Sequence, residues 1–219
     1  ISDSQRAPIP GWVNWLATVH HGLPVTAYPF HAEGGDYLAF LGRIAPEKRP
    51  DRAIEIAIRA GMPLKMAAKI DPVDRHYFEE SIEPLLGHPL VEFLGEIGEG
   101  EKCRLLGHAR ALLFPIDWPE PFGLVMIEAM AAGTPVIAWR SGSVPEIVTD
   151  GVSGVIVDSI EQAVDSVRRI RTLSRAAVRR EFERRFTVDR MAQDYIRVYE
   201  RLLSGEQQPE MAVASGRAA

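Results

Sequence analysis

Short apolar runs and amphipathic stretches alternate along most of this 219-residue chain. Runs at 36–43, 63–70, 90–95, 111–116 and 134–139 have the length and composition of buried strands, and 150–157 reads as a turn followed by a sixth. Between them, apolar residues recur at helical spacing over 52–60, from 71 to about 86, over 101–110 and over 122–132. From 160 onward the chain is helical, with Val164, Val167 and Ile170 on one stripe, arginines on the other, and Thr187 capping a last helix over 188–203. The arginine stripe reads as a solvated face, because Glu181 and Glu183 interleave with it. This alternation predicts an α/β domain with a doubly wound parallel six-stranded sheet and C-terminal helices. Residues 1–31 lack periodicity and read as a connecting segment, and 204–219 has so few large apolar residues that it is expected to be disordered.

The stretch from Glu120 to Gly133 lies between the fourth and fifth runs and reads as loop, helix and turn. Pro121 suits a helix start and Gly133 a helix end, which places the helix at 122–132. Gly123 lacks a Cβ, so an anion can approach the unpaired N–H groups of Phe122, Gly123 and Leu124 at the positive end of the helix dipole. Glu120 precedes that end, and Glu128 lies about one and a half turns beyond it. Two carboxylates flanking an anion site suit a ligand with hydroxyls on both sides of a diphosphate, the shape of a sugar nucleotide.

In this form, Glu120-Pro-Phe-Gly-Leu-Val-Met-Ile-Glu128-Ala-Met-Ala-Ala-Gly resembles the donor-site signature of retaining glycosyltransferases of the GT-B fold, in the large family 4 (group 1). Taken singly, either glutamate reads as an ordinary surface charge, and only the whole string with its flanking strands carries the resemblance. The resemblance implies a Rossmann-like sheet of order 3-2-1-4-5-6, the C-terminal half of a GT-B fold. It also implies that Glu120 meets hydroxyls of the transferred sugar and Glu128 the ribose. After Phe40-Leu41-Gly42, the pair Arg43 and Lys48 corresponds to the cations that clamp the diphosphate, and Arg49 stands where glycine is frequent. The base is expected near Ile97, with Glu99 close by. Arg140-Ser-Gly-Ser-Val-Pro-Glu146 resembles the Gly-Gly-x-Pro-Glu turn, with Ser143 in place of the second glycine, and Glu146 reads as structural. In doubly wound sheets the order reverses between the first and fourth strands, so the Gly42-Arg43 and Glu120 loops are expected to open into one crevice.

Composition narrows the alternatives. A hydrophobic fraction of 46% with 25% charged residues is ordinary for a soluble globular protein, and no run reaches the roughly 18 apolar residues of a membrane span. A formal charge of −5 argues against general nucleic-acid binding. One cysteine, Cys103, rules out an internal disulfide and suits a cytoplasmic protein. The first residues show no secretory leader, and the chain begins at Ile1 without methionine, as a processed product or a fragment would. His20, His21 and His31 lack partners at ligand spacing, so no metal is expected.

The resemblance divides the chain into 1–31, the hinge end of an N-terminal acceptor domain; 32–203, a nucleotide-sugar-binding domain; and 204–219, the tail. It implies a nucleotide-diphosphate-sugar donor, with a UDP-sugar favoured over GDP- or ADP-sugars, no required cofactor, and a glycan, lipid or small-molecule acceptor. Any peripheral membrane association would belong to the N-terminal domain, and these residues alone are expected to bind donor without turning it over. Two other classes stay open: a sugar-nucleotide epimerase or phosphorylase on a related fold, and a non-enzymatic nucleotide-sugar-binding or interaction module. A dinucleotide oxidoreductase is disfavoured, because the first strand is followed by Gly42-Arg43-Ile44-Ala45 and not Gly-x-Gly-x-x-Gly.

Overall fold

The structure, a computed structural model, describes residues 1–10 and 12–204. Its strands are β1 (Leu38–Arg43), β2 (Leu64–Lys69), β3 (Val91–Gly95), β4 (Ala111–Phe114), β5 (Val136–Trp139) and β6 (Gly154–Val157). They pair in the order β3-β2-β1-β4-β5-β6, all parallel, as expected for a Rossmann-like α/β sheet. The helices are α1 (Asp3–Arg6), α2 (Pro50–Ala60), α3 (Arg75–Tyr77), α4 (Glu99–His108), α5 (Leu124–Ala131), α6 (Val144–Ile147), α7 (Ile160–Arg169), α8 (Arg175–Arg185) and α9 (Val188–Ser204).

Side chains alternate across the sheet, and both faces are covered. Leu38, Phe40, Ala111, Leu113 and Ile137 join one buried cluster with Ile54 and Ala57 of α2 and Val164 and Val167 of α7. Leu112, Phe114, Val136 and Ala138 join the opposite cluster with Ile127 and Met130 of α5 and Phe182 of α8. Covering on both faces accounts for strands that read as nearly unbroken apolar runs. It also means that the chain leaving β1 turns to one face and the chain leaving β4 to the other. A crevice opens between them, at the point where strand order reverses.

Three expectations need correction. The single helix from 71 to about 86 is a broken series: α3, a wider π-type turn over Phe78–Ile82 and a 3-10 turn over Glu83–Leu85. Pro84 has no N–H to give, so a continuous α-helix cannot pass through it. The helix placed at 122–132 begins at Leu124, because Gly123 sits in the left-handed region at φ 76° and Phe122 lies before the helix. A side chain at Gly123 would press on Phe114 and Met126 as well as strain the backbone.

The third correction concerns the arginine stripe, which is only partly a solvated face. Arg175 donates to the carbonyls of His31, Ala109 and Gly107 and to Thr134 Oγ1. Arg179 donates to the carbonyls of Val25, Tyr28 and Ala131, and Arg190 to those of His20 and His21. These guanidinium forks strap the aperiodic segment before β1 onto the C-terminal helices, which explains how a stretch without periodicity is held. Burial lowers the Arg175 pKa to about 10, with the nearby Arg110 charge adding to the effect.

Residues 205–219 of the expected disordered tail lie outside the described residues; Ser204 closes α9. Among the described residues no helix is long and apolar enough to cross a membrane, and no group of three or more His, Cys, Asp or Glu side chains could hold a metal.

Candidate functional site

β1 is buried at its start and exposed at Gly42 and Arg43, so its carboxyl end delivers the chain into the crevice. The chain then forms a 3-10 turn over Pro46–Lys48, which lifts Lys48 toward the loop after β4. There Lys48 Nζ lies 2.5 Å from Glu120 Oε2, a pair 72 residues apart in sequence. The same oxygen accepts from Trp118 Nε1 at 2.9 Å, and the lysine ammonium sits 4.8 Å from the centre of the Trp118 ring. Glu120 Oε1 receives no bond among the described residues. The pair is 21% and 12% exposed at the side chains, so water screens it only in part.

Beside it is the start of α5. The first-turn N–H groups of an α-helix lack the usual intrahelical partner; here Met126 N turns back to Gly123 O at 3.0 Å, and those of Leu124 and Val125 follow the side-chain-free Gly123. Gly42, Lys48, Glu120, Gly123 and Leu124 line one cleft of about 160 Å³, walled by Phe40, Phe114 and Ile116. Five of the residues singled out from the sequence therefore share one cavity.

The remaining candidates are distributed around it. Glu128, about one turn along α5, pairs with Lys102 of α4 at 3.0 Å, and Lys102 also holds Glu99 at 3.0 Å. Burial would depress the Lys102 pKa, but hydrogen bonds with Tyr28, Glu128 and Glu99 outweigh it and hold the ammonium above its ordinary value. Ile97 packs against a small cluster with Ala39 and Leu105 at the same end of the sheet. Arg43 turns away from the cleft lining. Its guanidinium meets Glu47 at 2.6 Å, Asp71 at 3.5 Å and Asp74 at 3.8 Å, and the Glu47 bond leads in holding its pKa high. Phe122 is buried, its ring 4.9 Å from that of His21.

Several contributors were not legible as such. Trp118 and Lys102 were not singled out from the sequence; the only signals were a tryptophan two residues before Glu120 and a lysine three residues after Glu99. The turn after β5 proves to be a buttress. Gly142, at φ 56°, passes so close to the Glu120 backbone that a Cβ would collide with it. Ser143 N donates to Glu120 O at 2.9 Å and Ser143 Oγ to Phe122 O at 2.8 Å, so the serine at the second-glycine position braces the loop. From the N-terminal segment, Ser2 Oγ donates to Pro121 O at 2.5 Å, and Glu146 accepts from the N–H groups of Asp3 and Ser4 and contacts His20.

Residues 29–188 match the sequence model of the glycosyl transferases group 1. The chain belongs to that family. It is 34% identical over 181 residues to a D-inositol 3-phosphate glycosyltransferase of Salinispora arenicola (strain CNS-205), covering 73% of this chain and 36% of that protein. To the enzyme of the same name from Mycolicibacterium smegmatis (strain ATCC 700084 / mc(2)155) it is 33% identical over 184 residues, 73% of this chain and 40% of the other. The chain thus spans well under half the length of these relatives. The structure superposes on AviGT4, a glycosyltransferase involved in Avilamycin A biosynthesis, with a TM-score of 0.79 and 28% identity, over 93% of this chain and 63% of that one. Anabaena Alr3699/HepE, solved in complex with UDP and glucose, shares the fold at a TM-score of 0.72 and 19% identity, over 84% and 56% of the two chains.

Proposed function

We propose that this chain is the donor-binding part of a retaining, family 4 glycosyltransferase that moves a sugar from a nucleoside-diphosphate sugar to an acceptor bound elsewhere in the whole enzyme. The observation that carries the reading is the meeting of Lys48 with Glu120 at the strand switch point, beside the open first turn of α5. In the free chain the lysine is neutralised by the glutamate. A diphosphate offers it more charge, so Lys48 turns to the phosphate oxygens, and the α5 N–H groups bind them from the other side. Glu120, still held by Trp118, then faces the sugar hydroxyls. Charge that builds on the departing diphosphate meets donors already in place. Glu128 and Lys102 form the ribose end, and Ile97 with Glu99 borders the base.

The cleft's 160 Å³ is below the ~300 Å³ at which small-ligand pockets usually begin. Donor binding therefore opens the Lys48–Glu120 pair. Retention requires the acceptor hydroxyl on the face from which the diphosphate leaves, and orientation of that kind supplies about 7–11 kcal/mol of barrier lowering. We assign that grip to the N-terminal acceptor domain, with 1–31 as its hinge end, so these 219 residues bind donor and at most hydrolyse it slowly. Calorimetric titration with UDP, GDP and ADP tests the reading, UDP first because a neighbour of the same fold was solved with it. Binding of at least one, weakened in Lys48→Ala, is expected; no binding of any overturns the proposal.

A further inference from the structure

Among the described residues, Arg49 is the one non-glycine residue in the left-handed region, at φ 53° and ψ 52°. It directly follows Lys48 and precedes Pro50, the first residue of α2. Such a backbone is unfavourable for any residue with a Cβ and persists only where its surroundings fix it. The guanidinium explains what fixes it. Arg49 Nε and Nη2 donate to the Asp51 carboxylate at 2.9 and 2.7 Å, and Nη1 donates to Asp117 Oδ2 at 2.9 Å. Arg52 reaches the same Asp117 oxygen at 3.1 Å and the Pro115 carbonyl at 3.3 Å. Between these two loops, Asp117 N also donates to Glu47 O at 2.8 Å.

Arg49 is next to Lys48, and Asp117 is three residues before Glu120. These bonds therefore join the loop that carries the lysine to the loop that carries its glutamate. Asp117 is 55% exposed at its side chain, and ion pairs that wet contribute little to folding. A glycine at 49 would adopt the same backbone without strain. Folding accounts for the bidentate pair with Asp51, 27% and 31% exposed, but gives no reason for the further reach to Asp117. We infer that Arg49 is a positioning residue which, through Asp117, latches the Lys48 loop to the Glu120 loop and so sets the spacing at which a diphosphate is gripped. The inference rests on the donor-site reading above, but the latch itself exists in the free chain.

The test compares wild type with Arg49→Gly, Arg49→Lys and Asp117→Ala by amide hydrogen exchange without ligand, thermal melting, and UDP titration. Arg49→Gly relieves the backbone strain but loses the pair with Asp51, so the melting temperature is expected to stay within about 4 °C of wild type. It should also speed exchange at the Asp117 amide while the β1 and β4 amides keep their protection. UDP affinity should fall roughly five-fold in Arg49→Gly and in Asp117→Ala, with Arg49→Lys between them and wild type, since lysine keeps the charge without the fork. Affinity that falls only in step with melting temperature would mark the arginine as structural and overturn the inference. Unchanged Asp117 exchange in Arg49→Gly defeats the latch whatever the chain binds, whereas a wild-type chain that binds no UDP but shows the exchange change defeats the donor role alone.

Discussion

Two lysine–glutamate pairs flank the α5 N-terminus, and they differ in what stands behind them. Lys48–Glu120 and Lys102–Glu128 are nearly alike in burial, 21% and 12% exposed against 18% and 13%. The first joins two loops across the switch point, where a short lever moves either partner. The second joins two helices, α4 and α5, and its lysine is also shared with Glu99. Similar charge and burial thus serve different ends: Lys48 is placed to change partners, Lys102 to hold a carboxylate still.

The comparison breaks first at Lys48. Lys48→Ala should weaken nucleoside diphosphate binding by about 1.5–3 kcal/mol, the range for charge-assisted hydrogen bonds. The melting temperature should barely move, because Trp118 still satisfies Glu120. Equal affinity by calorimetry would place the anion elsewhere. Lys102→Ala should show the opposite balance, a loss of about 1–2 kcal/mol in urea unfolding, since it takes the paired cation from the mostly buried Glu128, leaving it Tyr28, and unties α4 from α5. Folding stability equal to wild type would remove the distinction between the two pairs.

The carboxylates sharpen it further. Glu128→Ala should lower affinity for the bare nucleoside diphosphate by about 1 kcal/mol, whereas Glu120→Ala spares it and weakens only the sugar-bearing donor. The reverse pattern would exchange their roles. The smallest effect expected is in pH. His31 packs against Gly107 and His108 of α4, the helix that carries Lys102, and its pKa is lowered by burial first, then by His108 and Arg175. A base whose folded pKa is lowered takes its proton first in the unfolded chain. The stability it permits is present above about 6.5 and is lost as pH falls through that value toward the lower folded pKa. The urea midpoint should therefore drop between pH 7.5 and 5.5, and drop less in His31→Gln.

The sheet was legible because parallel strands buried on both faces must be apolar at successive positions, and the glycines and prolines between them mark where the chain turns. The break at Pro84 was legible in principle, and the apolar spacing around it misled. At the site, Glu120 and Glu128 stand out because one loop and one helix carry both. Lys48 stands out only as a cation after the first strand and Lys102 not at all, and neither pairing is legible, because the lysines reach their glutamates from other elements, 72 and 26 residues away. The arginine stripe misread for a related reason: sequence shows the periodicity of Arg175 and Arg179 but not that the aperiodic segment before β1 supplies their carbonyl acceptors.

The central claim is one of place: an anion binds where the β1 and β4 loops part. Titrating UDP into the amide-labelled chain and following backbone resonances tests it directly. The account predicts that the largest shifts fall on Gly42, Lys48, Gly123 and Leu124, with smaller ones at Glu128 and Ile97. Saturable shifts confined to the opposite, amino-terminal edge of the sheet, around Gly34, Arg110 and Ser174, would contradict it.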